Sequence, residues 1–175
     1  MKKTILLVKG LVVMSFLFVS CNDTDSVSCP DPIIGELSEL ESSFTGNWEL
    51  KAIVSEKEIE LTNDQLANPS KNVYEQQTAC KKDVIYKFNA DRSFDYKEGS
   101  VAQGCTTIKI DGTWKYSANG LVLVADCTSQ IIDIDVNVGK TEFSITNTYN
   151  LKDVSGNVLS SKLTFTYTKV VPAED

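Results

Sequence analysis

From Trp48 onward, apolar and polar side chains alternate, which is the period of a strand with one covered face. Trp48, Leu50, Ala52 and Val54 alternate with Glu49 and Lys51, and residues 58–61 add a shorter piece that can pair with that strand. A polar stretch over residues 62–78, containing Asn68-Pro69-Ser70, is the one long connection, and such loops are either mobile or functional. Val84, Tyr86 and Phe88 then alternate, Asn89-Ala90-Asp91-Arg92 turns the chain, and Phe94 and Tyr96 resume the pattern. Residues 106–117 form a longer strand interrupted at Asp111-Gly112, and Ala118-Asn119-Gly120 is a hairpin signal leading into residues 121–126. Along residues 130–138, Ile132, Ile134, Val136 and Val138 share one face while Asp133, Asp135 and Asn137 share the other. Residues 141–151 and 158–170 complete the set, separated by a turn at Asp153-Val154-Ser155-Gly156. Eight principal strands at regular spacing predict an all-β fold, an eight-stranded antiparallel up-and-down barrel whose closure removes exposed edges.

One stretch has a different period. Ile33, Ile34, Leu37, Leu40 and Phe44 recur every three or four residues, predicting a short N-terminal helix over residues 33–44. Asp31-Pro32 is placed to open it and Gly46 to stop it. A helix of this length is marginal alone, so its apolar stripe has to dock on the sheet.

The first 20 residues read as an export signal: Lys2 and Lys3, then an apolar run broken by Lys9, ending at Ser20-Cys21. The run is too interrupted for a spanning helix, which needs about 20 mostly apolar residues. Val19-Ser20-Cys21 resembles a bacterial lipobox, with Phe18 where leucine is commonest. That resemblance implies cleavage before Cys21 and acylation of its thiol, and several acyl chains anchor a protein firmly to a bilayer. The expected organisation is a signal peptide (residues 1–20), a tether (21–32) and a barrel domain (33–175). Asp23 and Asp25 in the tether fit either plain linker charges or a surface-export signal, which leaves periplasmic face and cell surface both open.

Charge and composition narrow the function. Three of the 17 basic residues lie in the signal, which leaves 14 against 24 acidic ones and a net charge of −10 behind it. Such a balance excludes nucleic acid as partner, because that binding needs lysine and arginine on phosphates. Histidine is absent, which removes serine–histidine and cysteine–histidine nucleophiles and the commonest metal ligand. No catalytic residue, metal site or cofactor is predicted. Asp133 and Asp135 share a face, but alternation turns it to solvent. Besides Cys21 there are four cysteines, which three connectivities can join; Cys80–Cys105 and Cys29–Cys127 are favoured because Cys80 and Cys105 flank one hairpin.

Gly46-Asn47-Trp48 and Gly112-Thr113-Trp114 repeat a Gly-x-Trp motif, one opening the first strand and one in mid-chain. With Cys80-Lys81-Lys82-Asp83, the Phe88-Asn89-Ala90-Asp91 turn and Phe94, residues 44–170 resemble a lipocalin, and more closely the short lipocalin-like domains of Gram-negative lipoproteins. The pattern departs at Arg92, where glycine would suit the turn. Arg92 is the only arginine, so the arginine that pairs with the first-strand tryptophan in many lipocalins has no counterpart. The resemblance implies that Trp48 closes the narrow end of the barrel. It also implies an outer-membrane lipoprotein that binds a small apolar or amphipathic ligand without catalysis. Alternation places Tyr86, Phe88, Phe94, Tyr96, Tyr116, Phe143, Tyr149, Phe165 and Tyr167 inward, where they either line a pocket or fill it. A filled barrel points instead to an envelope interaction module that meets a protein partner through its loops.

Overall fold

The period-two segments become strands of one antiparallel sheet. The computed structural model describes residues 28–63 and 68–170; the expected signal, Cys21 and the first part of the tether lie outside the described residues. In chain order the elements are α1 (Glu39–Phe44), β1 (Gly46–Ile59), β2 (Ser70–Asn72), α2 (Ala79–Lys82), β3 (Val84–Phe88) and β4 (Ser93–Glu98). They continue with β5 (Ile108–Ser117), β6 (Gly120–Ala125), β7 (Thr128–Ile132), β8 (Asp135–Val136), β9 (Glu142–Lys152) and β10 (Val158–Val170). The lateral order is β7-β6-β5-β4-β3-β1-β10-β9-β8, with β2 added to β1. Because β1 pairs with both β3 and β10, the first and last long strands lie side by side and the sheet curls on itself.

The chain is therefore all-β, antiparallel and up-and-down with a short N-terminal helix, as its periodicity predicts. The described residues form ten strands instead of eight, on a path whose end strands do not pair with each other, so the curled sheet keeps two edges where closure was expected. The expected strand over residues 130–138 is two short ones, β7 and β8, which are the two ends of the sheet path. Val138 is fully exposed beyond them. The strand expected over residues 106–117 starts at Ile108 and runs through Asp111-Gly112 without a break. There the glycine serves close approach, since a Cβ at Gly112 would stand 2.9 Å from a ring carbon of Phe94 and 2.1 Å from the Val124 carbonyl oxygen.

Two other expectations shift for local reasons. Helix α1 starts at Glu39, not near Ile33: Gly35 takes a left-handed φ of 100° and Ser38 caps instead. The Ser38 hydroxyl accepts from the Glu41 amide at 3.3 Å, and the Ser38 amide donates to the Glu41 carboxylate at 2.8 Å, a reciprocal capping box. Residues 58–61 are not a separate strand, because β1 runs on to Ile59. A bulge between Leu50 and Ala52 in the pairing with β10 reverses the alternation. Ile53 and Ser55 are thereby buried, and Val54, expected inside, is 46% exposed.

At the α1 end the interior is solid. Phe44 meets Trp48, Phe88 and Phe143 at ring-centroid distances of 4.8, 5.1 and 5.4 Å. Trp48 and Trp114 are fully buried, and their indole N–H groups donate to the Phe44 and Asn89 carbonyls at 2.9 and 3.0 Å. Trp48 thus packs at the end that α1 covers, with the Lys169 ammonium 5.5 Å from its ring centroid.

Arg92 has a different task. Held at a left-handed φ of 69°, its guanidinium donates to both Glu41 carboxylate oxygens (2.8 and 3.1 Å) and to the carbonyls of Gly35 (2.8 Å) and Glu36 (2.6 Å). A single buried fork thus ties the β3–β4 turn to the chain that leads into α1. Hydrogen bonds from Arg92 hold the Glu41 carboxyl down to about 2, outweighing burial, which alone would raise it.

Candidate ligand-binding site

Away from α1 the interior is hollow, and three tyrosines divide it. Tyr86 on β3 and Tyr96 on β4 are directly opposite in the ladder, with ring centroids 4.9 Å apart. Tyr167 on β10 reaches across to 5.4 Å from the Tyr86 ring and is 6% exposed. On one side is a cavity of about 250 Å³ lined by Tyr86, Phe94, Tyr96, Ile110, Leu123, Ala125, Asp126, Thr128, Gln130 and Tyr167. On the other is a cavity of about 210 Å³ whose wall is mainly aliphatic, with Leu50, Ile53, Val73, Leu151, Leu163 and Phe165. Tyr96 and Tyr167 line both, so the two are lobes on either side of one aromatic partition.

The partition is polar at its tips. The Tyr96 hydroxyl donates to Glu98 at 3.1 Å, and Glu98 also pairs with Lys81 at the aliphatic lobe. The Tyr86 and Tyr167 hydroxyls have no hydrogen-bond partner among the described residues. Burial raises the Tyr86 phenol to about 12 and pushes those of Tyr96 and Tyr167 upward as well, so all three are neutral hydroxyls at any ordinary pH.

The long polar connection covers the aliphatic lobe, to which it contributes Val73, Gln77 and Lys81. Within it, Gln76 accepts from the Leu61 amide at 2.7 Å and donates to the Ile59 carbonyl at 3.1 Å, and the Tyr74 amide donates to Ile53 at 3.0 Å. Cys80–Cys105 fastens α2 to the β4–β5 loop, and Cys29–Cys127 fastens the start of the described chain to the β6–β7 turn. This is the favoured connectivity. Cys127 lies between Asp126 and Thr128, both of which line the tyrosine lobe, so the disulfide fixes Cys29 at the rim of that lobe.

Of the aromatics expected to meet a ligand, Tyr86, Tyr96, Phe165 and Tyr167 line the lobes, as does Phe94. Phe88 and Phe143 are buried in the solid end. Tyr116 packs 4.7 Å from Phe44 beside α1, away from the partition. Tyr149 is 38% exposed, with its ring 5.7 Å from Phe165. Sequence reasoning passed over the aliphatic wall and the polar rim of Asp126, Thr128 and Gln130. Alternation marks Leu163 and Leu123 as inward, but the bulge in β1 and the fold of the long connection leave no periodic trace. Asp133 and Asp135 are exposed, and no group of three or more metal-ligating side chains occurs among the described residues.

A family model described as a domain of unknown function (DUF5004) matches residues 22–169. No curated protein matches the chain. Among solved structures, insecticyanin from the tobacco hornworm Manduca sexta is 16% identical with a TM-score of 0.41, over 85% of this chain and 72% of that one. Lobster apocrustacyanin A1 is 13% identical with a TM-score of 0.37, over 77% and 64% respectively. Both are slight likenesses.

Proposed function

The chain belongs to the family described as a domain of unknown function, DUF5004, and from that premise we propose a non-catalytic binding module held at a membrane by lipid. The ligand is a small apolar or amphipathic molecule, the barrel is lipocalin-like, and the setting is the outer membrane of a Gram-negative envelope. The observation that carries the reading is the two-lobed interior, with apolar walls and a few convergent polar groups, the usual make-up of a small-molecule site. Absence of histidine supports binding without chemistry. The lipobox-like Val19-Ser20-Cys21 supports the anchor. Cys21 and Cys29 are eight residues apart, a span of at most about 29 Å when fully extended. An acylated Cys21 therefore keeps the rim of the tyrosine lobe close to the bilayer.

Metabolic labelling with an alkyne fatty acid tests the anchor: label should enter the wild type and be lost in Cys21→Ser. Native mass spectrometry of protein taken from cells tests the ligand, and a mass excess released by denaturation is the expected result. One observation favours a second reading, an interaction module with a filled barrel. Neither lobe alone reaches the roughly 300 Å³ of an ordinary ligand pocket, although the two together exceed it. Protein without a mass excess that retains an envelope protein after crosslinking in cells would support that module.

A further inference from the structure

The two lobes differ in chemistry, and the difference specifies the occupant more narrowly. Among the described residues, the tyrosine lobe has one charged lining side chain, Asp126, and no cation. Half-buried Tyr86 and buried Tyr167 also line it, and their hydroxyls, which bond no described residue, are not sealed from solvent and so are open to a ligand. The aliphatic lobe has one cation, Lys81, and Glu98 already neutralises it. The Tyr96 hydroxyl is already committed as a donor to Glu98.

Resting on the reading above, we propose that the two lobes hold one amphipathic molecule, a single apolar arm among Leu50, Leu163 and Phe165 and a non-anionic, hydrogen-bonding head against Tyr86, Tyr167 and Asp126. Such a head, a hydroxyl or amine group, supplies an acceptor or lone pair to the two free phenols and a donor to the carboxylate. An anionic head is disfavoured, because it would lie beside the Asp126 carboxylate in a lobe whose described lining offers no cation. Joining the lobes requires the Tyr96 and Tyr167 rings to part, a change of side-chain rotamer that needs no movement of the strands.

The test uses the mature chain carrying Cys21→Ser, so that no acyl chain of its own competes. N-phenyl-1-naphthylamine serves as fluorescent reporter, displaced in turn by dodecanol, dodecylamine and dodecanoate, which share one chain length. The alcohol and the amine are expected to displace it at concentrations at least tenfold lower than dodecanoate. Tyr167→Phe should weaken the alcohol and amine several-fold, and Leu163→Trp should abolish displacement by all three. Asp126→Asn should narrow the gap between amine and carboxylate. Equal or tighter binding of dodecanoate overturns the assignment of the head, and unchanged alcohol binding in Tyr167→Phe overturns its placement. If the reporter does not bind the wild type at all, the binding reading itself fails, a distinct result.

Discussion

The two ends of this sheet are built from the same residue types and do opposite things with them. Near α1, Phe44, Trp48, Phe88, Trp114 and Phe143 fill the interior with rings in mutual contact. At the other end, Tyr86, Tyr96 and Tyr167 partition space without filling it. Two structural causes separate them. At the solid end α1 brings Phe44 into contact with Trp48, Phe88, Trp114 and Phe143. At the hollow end the bulge in β1 turns Ile53 inward, and Ile53, Val73, Leu151 and Leu163 line an aliphatic lobe in place of packed rings. An aromatic residue at an inward position is therefore structural or ligand-facing according to what closes its end of the barrel.

Mutations should break the two ends unequally. Trp48→Ala removes a fully buried ring from the solid end and is expected to cost about 3–5 kcal/mol, read from urea denaturation. Next comes the fork that holds α1 in place. Glu41→Gln leaves the Arg92 charge buried without its counter-ion and should cost about 3 kcal/mol at neutral pH. Because the folded Glu41 carboxyl is lowered from its ordinary 4.5 to about 2, its contribution is fully present above about pH 4.5 and lost as pH falls toward 2. Denaturation between pH 5 and 2 should show that slope in the wild type and a shallower one in Glu41→Gln.

At the hollow end the expected effects are smaller. Replacing Cys80 and Cys105 together by serine opens a loop of 25 residues and should cost about 2–3 kcal/mol. The same change should speed amide exchange in residues 73–82 far more than around Phe44, since only the cover of the aliphatic lobe is released. Smallest is Tyr96→Phe. It removes one hydroxyl bond to a carboxylate near solvent and is expected to change stability by no more than about 1 kcal/mol.

How much of this could be read beforehand follows the same division. Strict alternation along Trp48-Leu50, Val84-Tyr86-Phe88 and Leu163-Phe165-Tyr167 places strands and inward faces directly, because the period of a strand is local. Cysteine placement around one hairpin favours the correct pairing for a similar reason. The bulge after Leu50 is not legible: one extra residue changes the phase, and Ala52 and Val54 look as apolar as Ile53. Arg92 is misleading from sequence, since a bulky residue at a left-handed turn position reads as a misfit until Glu41, 51 residues earlier, is found beside it. The helix opens at the Ser38-x-x-Glu41 capping box and not at Asp31-Pro32, because Gly35 takes a left-handed turn between them. The lobes are products of long-range packing, and no short stretch of sequence encodes them.

The contrast between a solid and a hollow end can be tested most directly with xenon, which enters dry apolar cavities without recognising any ligand chemistry. Methyl NMR spectra of the Cys21→Ser chain under xenon pressure should show saturable shifts at Leu50, Ile53, Val73 and Leu163. Leu121, buried near the rings of the other end, should not respond. Shifts at Leu121 equal to those at Leu163, or none at any of these methyls, would contradict the account.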